Sequence, residues 1–373
     1  MVGLGVIGAL GTFSFLPLVV SQAIAGLGMS SRAAGILAAL EMAAGGMATL
    51  LASLVVHRIN RRRIARFCLT LIVAGSVLSQ GLHHYALMAL GRTVTGLGEG
   101  GLIAVVIASM AATRVPERNF GLWTIANMAA ASLLLFLIMP PVTARWGIVG
   151  VFSTYLCLAI PGFALAAWYP EYPDSISTPD RVPTAAAGTR TAIVLCLVAI
   201  LFAHLAHGGI WAYLQRFGAA AGIEATVTEH ALGYAAFAGL IGGSVVTALG
   251  TRCGRAIPNG VALVLSAASA LLVTVAHTPE VFVAAAMGFY LAWVFGLPYL
   301  MGIISALDPR GRAATLGIVM QNAGLSAGPV GAGFLAGSTS QYHDVALAAF
   351  VLYAAAALIA VPLAYRLDRR SLN

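Results

Sequence analysis

Charged residues are scarce in this 373-residue chain: Asp, Glu, Lys and Arg together make up only 9 %, and lysine does not occur at all. Soluble globular domains average about 25 % charged residues. So few charges cannot cover the surface of a soluble protein of this length. Because 60 % of the residues are hydrophobic, the composition predicts a protein that crosses a membrane many times.

Cysteine is also rare, and its spacing excludes several kinds of site. The four residues are Cys68, Cys157, Cys196 and Cys253. None forms a CxxC pair, so we expect packed, reduced thiols. His204 and His207 lack a third metal ligand at a usable spacing, so we expect no metal site.

Two short motifs resemble enzyme signatures but have the wrong context. Residues 96–101 match G-x-G-x-x-G and residues 324–328 match G-x-S-x-G. Both lie inside long apolar runs, whereas nucleotide binding and hydrolase chemistry need a strand, a turn and a helix around such motifs. We therefore expect no cofactor and no enzymatic activity.

Twelve apolar segments follow one another along the chain, and each is close to the roughly 20 residues that span a bilayer as a helix. They lie near 3–26, 33–56, 64–82, 85–112, 120–142, 147–168, 191–215, 230–250, 258–277, 280–304, 313–336 and 344–366. Small residues are spread through them, as is typical of packed membrane helices. The first run lacks a basic leader, so we interpret it as a helix rather than a signal peptide.

The arginines are distributed unevenly between the two sides of the predicted membrane. With the N-terminus placed inside, sixteen of the twenty fall in inside loops or the C-terminal tail, three fall in outside loops, and Arg92 lies within a segment. This bias predicts that both termini are cytoplasmic. The net charge of +8 is therefore a topology signal, and we expect no nucleic-acid partner.

The sequence divides into two halves that resemble each other. A proline-containing stretch, 169–190, predicts a flexible cytoplasmic linker between two sets of six segments. Aligning His57 with Thr251 gives an offset of 194 residues, and aligning Pro116 with Pro309 gives 193. A duplicated six-helix unit is a known transporter architecture, with its substrate site near the midplane between the halves.

These features resemble the major facilitator superfamily over essentially the whole chain. Its loop motif after the second helix, G-x-L-x-D-R-x-G-R-R, is matched in its basic residues, and its fourth-helix arginine with a glycine-rich stretch is matched by Arg92 and residues 96–101. The resemblance implies an all-α membrane fold of two pseudo-symmetric six-helix bundles, 1–168 and 191–373, that works by alternating access. It also implies a cytoplasmic latch that holds helix ends, formed by Arg58, Arg61, Arg62, Arg252, Gly254 and Arg255.

Ionisable residues inside the apolar segments are the main candidates for function, since charges in a bilayer are costly and usually face a partner or a water-filled cavity. Arg92 and Glu99 share one face of segment 4, two turns apart. Glu41 lies in segment 2, and His204 and His207 lie in segment 7. We expect these five to carry protons or to face the substrate, the alternative being that they only hold helices together.

Six further side chains are predicted to line a cavity: Asn127, Trp211, Tyr290, Trp293, Gln321 and Asn322. The sequence thus predicts a proton-coupled secondary transporter of a small organic solute, monomeric, in the cell inner (plasma) membrane. Two alternatives stay open, a drug or metabolite efflux antiporter and a transporter-like sensor or scaffold that moves nothing. Residues 324–333, GLSAGPVGAG, resemble an antiporter motif, but that motif belongs in segment 5, which has no glycine between Leu122 and Trp146.

Overall fold

The computed structural model describes residues 1–56, 59–81, 84–111, 113, 116–169, 171, 190–308, 312–337 and 342–370. Within these ranges the regular structure is helical throughout, with no strand. The chain forms two compact units, Met1–Thr178 and Pro179–Asn373. Most of the predicted linker lies outside the described residues, so the boundaries 169–190 stay a prediction.

The first unit contains helices α1 to α6. Helix α1 is made of Val2–Ala9, a π-helical turn at Leu10–Ser14, and Leu16–Ala25. Then follow α2 (Ser31–Val55), α3 (Arg61–Ser79) and α4 (Tyr85–Ala111). Helix α5 begins with Pro116–Leu133 and a second π-helical turn at Leu134–Ile138. The helical stretch Met139–Ala167 breaks at Gly147, where φ is 54°, and this break separates the end of α5 (139–146) from α6 (148–167).

The second unit contains six further helices. They are α7 (Arg190–Ala220), α8 (Ala225–Leu249), α9 (Ala256–Val275), α10 (Pro279–Leu307), α11 (Arg312–Ala336) and α12 (His343–Arg370). The described residues therefore form twelve helices at the twelve predicted positions. The boundaries differ from the prediction by only a few residues, most at α7 and α8, where the helices extend into the polar loop between them.

Eight helical stretches of the described residues are long and apolar enough to cross a membrane. One of them, 118–167, contains both α5 and α6 because Gly147 divides it. The remaining helices are less uniform: α1 is interrupted by its π-helical turn, α3 begins with three arginines, and α11 carries the amides of Gln321 and Asn322. The protein is a multi-span membrane protein.

Corresponding helices of the two units have corresponding neighbours. In the first unit α4 packs against α2 and α3, and α3 packs against α6. In the second, α10 packs against α8 and α9, and α9 packs against α12. The same contacts thus recur six helices later, which is the pseudo-symmetry that the internal sequence repeat predicts.

Glycines bring the helices of the first unit close together around α4. A Cβ atom on Gly96 would meet the backbone carbonyl of Glu41, and one on Gly100 would meet that of Gly45 in α2. On the opposite side, a Cβ on Gly98 would lie 2.5 Å from the Cys68 carbonyl oxygen in α3. The glycines of residues 91–100 therefore serve close helix packing, which in membranes depends on small residues.

The cysteine prediction holds for only two of the four residues. Cys68 and Cys196 are buried, whereas Cys157 and Cys253 are exposed on the outside of their units. The apolar surface of a membrane helix can face either lipid or protein, so hydrophobicity alone does not separate packed thiols from peripheral ones.

We expect Gly100→Ala to lower the stability of the first unit by about 1–3 kcal/mol, the usual cost of overpacking, because the added methyl group meets the α2 backbone. The matched control is Gly121→Ala, since a Cβ at Gly121 meets no atom within 4 Å. Thermal denaturation in detergent measures both. Equal melting midpoints for the two variants would contradict the close α2–α4 contact.

Candidate functional site

Helix α4 carries two ionisable side chains into the interior of the first unit. Arg92 has no exposed surface and Glu99 has 1 %. Both lie on the face that the sequence predicted, about 10 Å apart along a helix with a rise of 1.5 Å per residue. The helix continues unbroken from Tyr85 to Ala111, so their spacing is fixed by regular backbone.

Arg92 forms an ion pair with Glu41 of α2. Its Nη2 atom lies 3.1 Å from the Glu41 Oε1 atom, and neither side chain is more than 1 % exposed. The α2–α4 glycine contact places these helices close enough for the pair to form. A buried guanidinium needs such a partner, because an isolated charge in a low-dielectric interior is very costly.

Two aromatic rings of α6 flank the guanidinium. The Arg92 Cζ atom lies 4.9 Å from the ring centre of Phe152 and 4.6 Å from that of Tyr155. A desolvated cation–π contact of this kind contributes about 2 kcal/mol. The Tyr155 hydroxyl donates a hydrogen bond to the Gly11 carbonyl at 2.9 Å and lies 3.4 Å from Glu41 Oε1, so these two oxygens compete for one proton.

The second carboxyl group lies against the π-helical turn of α1. The Glu99 Oε1 atom packs directly on Gly11, where a Cβ atom would collide with it and with the Tyr155 ring. Glu99 also interacts electrostatically with Arg92. Single π-helical turns occur frequently at functional sites, and this one places the Gly11 backbone against both Glu99 and Tyr155.

The resulting group, which we call the Arg92 cluster, consists of Gly11, Glu41, Arg92, Glu99 and Tyr155. It contains two carboxyl groups but one guanidinium. With both carboxyls ionised it carries one excess negative charge, and a single proton makes it neutral. Because unbalanced buried charge is costly, the ionisation of one carboxyl group affects that of the other.

The histidines of α7 are buried within the second unit. His204 is 1 % exposed and His207 is fully buried. The His207 ring is sandwiched between two rings of α10, Phe289 with centroids 4.6 Å apart and Trp293 with centroids 4.4 Å apart. Its Nδ1 atom lies 3.4 Å from the Tyr353 hydroxyl.

The predicted cavity-lining residues fall into two groups. Trp211, Tyr290 and Trp293 join the aromatic cluster around His207, with the Trp211 and Tyr290 ring centres 4.7 Å apart. Asn127, Gln321 and Asn322 are half-buried and do not join it. For these six residues the lining of a transport cavity stays a prediction.

The arginine-rich loops contact acidic residues of their own units. In the first unit the Arg62 Nη1 atom lies 2.9 Å from Glu171 Oε1, and the Arg62 Nε atom donates to the Tyr169 carbonyl. In the second unit Asp368, at the end of α12, accepts from the backbone amides of Arg255 and Ala256.

In the first unit an acid that follows α6, Glu171, therefore holds the start of α3. In the second unit an acid at the end of α12, Asp368, holds the start of α9. The family motif has its acidic residue in the loop itself, where this chain has His57 and Thr251. Arg61 is buried, and Gly254 adopts a positive φ of 67° beside Asp368. Arg58 lies outside the described residues, and the role of these residues as a latch stays a prediction.

Sequence reasoning missed several contributors to these sites. Gly11, Phe152, Tyr155, Glu171 and Asp368 carry no motif, and only the folded helices bring them to their partners. Tyr155 offered one signal, a phenol hydroxyl within an apolar segment that needs a hydrogen-bond partner. Among the described residues, no three His, Cys, Asp or Glu side chains form a group suited to a metal ion.

Twelve helices in two repeated units, with ionisable side chains enclosed inside, define a transporter fold. A family model described as the Major Facilitator Superfamily matches residues 1–308. The chain belongs to this superfamily, which indicates a transporter rather than an enzyme.

Solved structures of transporters share this fold. A xylose transporter, XylE from E. coli, superposes with a TM-score of 0.75 at 12 % identity, over 95 % of this chain and 93 % of that one. A mutant of the nucleoside transporter NupG gives 0.74 at 11 % identity, over 97 % of each chain. A bacterial homologue of the human lysosomal transporter Spinster gives 0.69 at 13 % identity, over 99 % and 97 %. No curated protein matches the sequence.

We expect Glu41→Gln to destabilise the first unit by about 1.5–3 kcal/mol, because it removes the charged partner of Arg92 on α2 and leaves only Glu99, on the same helix as Arg92, as a counter-charge. Glu171→Gln removes the acid of the half-exposed Arg62 pair and should cost at most about 1 kcal/mol. Denaturation midpoints of the two variants in the same detergent measure the difference. Comparable losses would show that the Arg92 pair does not hold α2 and α4 together.

Proposed function

We propose that the protein is a proton-coupled secondary transporter that moves a small organic solute by alternating access. The Arg92 cluster is the observation that carries this proposal. It places two carboxyl groups and one guanidinium in the interior of a membrane protein, where groups of this kind typically serve proton transfer or substrate binding. The neighbouring structures named for xylose and nucleosides support an organic solute.

Glu99 is the primary proton carrier in this proposal, and Glu41 is the second. When Glu41 is ionised it pairs with Arg92, and the excess proton stays on Glu99. When Glu41 takes the proton, the Arg92–Glu41 attraction weakens and Arg92 can turn to Glu99 on its own helix. Proton movement between the two acids is thereby linked to the contact between α2 and α4, which can bias a conformational change.

His204 and His207 are the candidates in the second unit, since histidine can change its charge near neutral pH. We propose that both termini lie in the cytoplasm, because of the arginine distribution. We also propose that the protein is a monomer in the cell inner membrane. Efflux by antiport is the second candidate function. Its motif-like residues 324–333 lie in α11 rather than in α5, which argues against this candidate, and the direction of coupled transport decides between the two.

Proton flux in proteoliposomes tests the proposal with a panel of organic acids, amines, sugars and drugs. We expect one compound class to discharge a pH gradient in the wild type, and Glu99→Gln to reduce this flux at least about tenfold, the loss expected of a positioned proton carrier. The matched control is Glu280→Gln, because Glu280 is an exposed acid at the start of α10, and it should retain wild-type flux.

Solute counterflow, which needs no net proton movement, distinguishes loss of coupling from loss of folding. We expect Glu99→Gln to retain counterflow while proton flux is lost. Solute transport without any proton movement in the wild type would contradict proton coupling. If no compound of the panel moves in either assay, the sensor or scaffold alternative replaces transport.

A further inference from the structure

A pocket lies inside the second unit, whereas the Arg92 cluster belongs to the first. The pocket is lined by α7, α9, α10 and α12, is partly open to its surroundings, and has enclosed space for about one water molecule. Its walls are mainly small and aliphatic side chains, and its polar lining includes His204, Asn259, Ser266 and Tyr353. None of these four carries a fixed charge, so the pocket suits a neutral, hydrogen-bonding occupant.

His204 presents a hydrogen-bond acceptor to this pocket. Its Nδ1 atom lies 2.7 Å from the Ile200 carbonyl oxygen, and because a carbonyl only accepts, Nδ1 must carry the proton. In the neutral ring the Nε2 atom then has a lone pair and can only accept. Nε2 is buried, and no protein group among the described residues donates to it.

Asn259 presents both a donor and an acceptor to the same pocket. Its side chain is 1 % exposed, and neither its Oδ1 nor its Nδ2 atom has a protein partner among the described residues. It is the fourth residue of α9, one turn from the end that Asp368 caps. Buried polar atoms are nearly always hydrogen-bonded, to protein or to ordered water.

Water has both the donors and the acceptor that these three atoms need. It can donate to His204 Nε2 and to Asn259 Oδ1, and it can accept from Asn259 Nδ2. We propose that this pocket is a water-binding site, and that water entering at the Asn259 end passes a proton from bulk water to the Nε2 lone pair of neutral His204, which becomes an imidazolium. The site gives the second unit a protonatable group of its own. Its use in transport rests on the proposed function, but the water and the protonation do not.

The surroundings of His204 contain few other groups that titrate. His207 lies on the same helix and Tyr353 lies on α12, while α9 contributes Asn259 and Ser266 to the pocket and α11 contacts His204 through Gly324. The described acids of the unit all lie within five residues of a helix end; they are Glu224, Glu229, Glu280, Asp308, Asp344 and Asp368. A proton that reaches His204 therefore meets no counter-charge at mid-helix and depends on water for its stabilisation.

Radiolytic hydroxyl-radical labelling of the full chain in nanodiscs tests for the water. Radicals formed from bound water modify the side chains beside it, so we expect Tyr353, which lines the pocket and is 3 % exposed, to be labelled. Tyr290 is the matched control, because it is 1 % exposed and does not line the pocket. Ala262→Leu, which fills the pocket, should abolish the Tyr353 labelling, whereas Ser269→Ala on the same helix should not. An unlabelled Tyr353 in the wild type overturns the proposal.

The melting midpoint of the Asn259→Leu variant gives an independent test, because a water-filled pocket and a dry pocket predict shifts in opposite directions. If water bonds the amide, this variant loses those bonds and its melting midpoint falls by about 2–4 °C. If the pocket is dry, the variant removes unsatisfied polar atoms without changing volume and its midpoint rises. A rise therefore contradicts the water site.

Protonation is tested by NMR of the protein labelled with 15N-histidine, with His204→Gln used to assign the resonance. We expect the His204 Nε2 signal to move with pH, and to stop moving in Asn259→Leu. A His204 signal that stays constant over the whole pH range in which the protein stays folded overturns the protonation. Neither measurement uses transport, so a negative proton-flux result would count against the proposed function alone.

Discussion

The buried pair between Arg92 and Glu41 is the interaction on which the first unit depends. A guanidinium without exposed surface is tolerated only with a counter-charge at contact distance, and the pair spans 3.1 Å between α4 and α2. That distance requires the two backbones to approach closely, which Gly96 and Gly100 permit. The charged residues and the glycines of residues 91–100 therefore depend on each other. The ion pair forms only where the two helices touch, and the glycines allow them to touch.

The rest of the cluster follows from the same constraint. Glu99 adds a second carboxyl that a single arginine cannot balance, so it needs space that no side chain occupies. Gly11, in the π-helical turn of α1, provides that space, and Tyr155 closes the group by bonding the Gly11 carbonyl. Four helices thereby meet around a site whose charge balance changes with one proton.

The two units share their helix packing but differ in interior chemistry. At the offset of 194 residues, Glu41 corresponds to Ala235, Arg92 to Ala286 and Glu99 to Trp293. The second unit thus has two alanines and one tryptophan at the positions where the first unit has its charged residues. The small residues at the helix interfaces set how closely the backbones approach in both units. They do not specify which polar side chains lie between the helices. Each copy has its own interior chemistry: the first unit encloses the Arg92–Glu41 ion pair, and the second encloses the rings stacked on His207.

The sequence alone determined the class of protein, the twelve helices and the superfamily, because a bilayer imposes strict limits on length, charge and hydrogen bonding. It also located Arg92, Glu99, Glu41 and the two histidines, since an ionisable residue is conspicuous in an apolar run. Only the tertiary structure decided that Arg92 pairs with Glu41, that Gly11 and Tyr155 complete the cluster, and that Asn259 shares a pocket with His204. Helical periodicity gives the face of a residue on its own helix, but partners on other helices depend on which helices pack and at what depth. In a chain of uniformly apolar segments, that information lies in contacts between small residues distant in sequence.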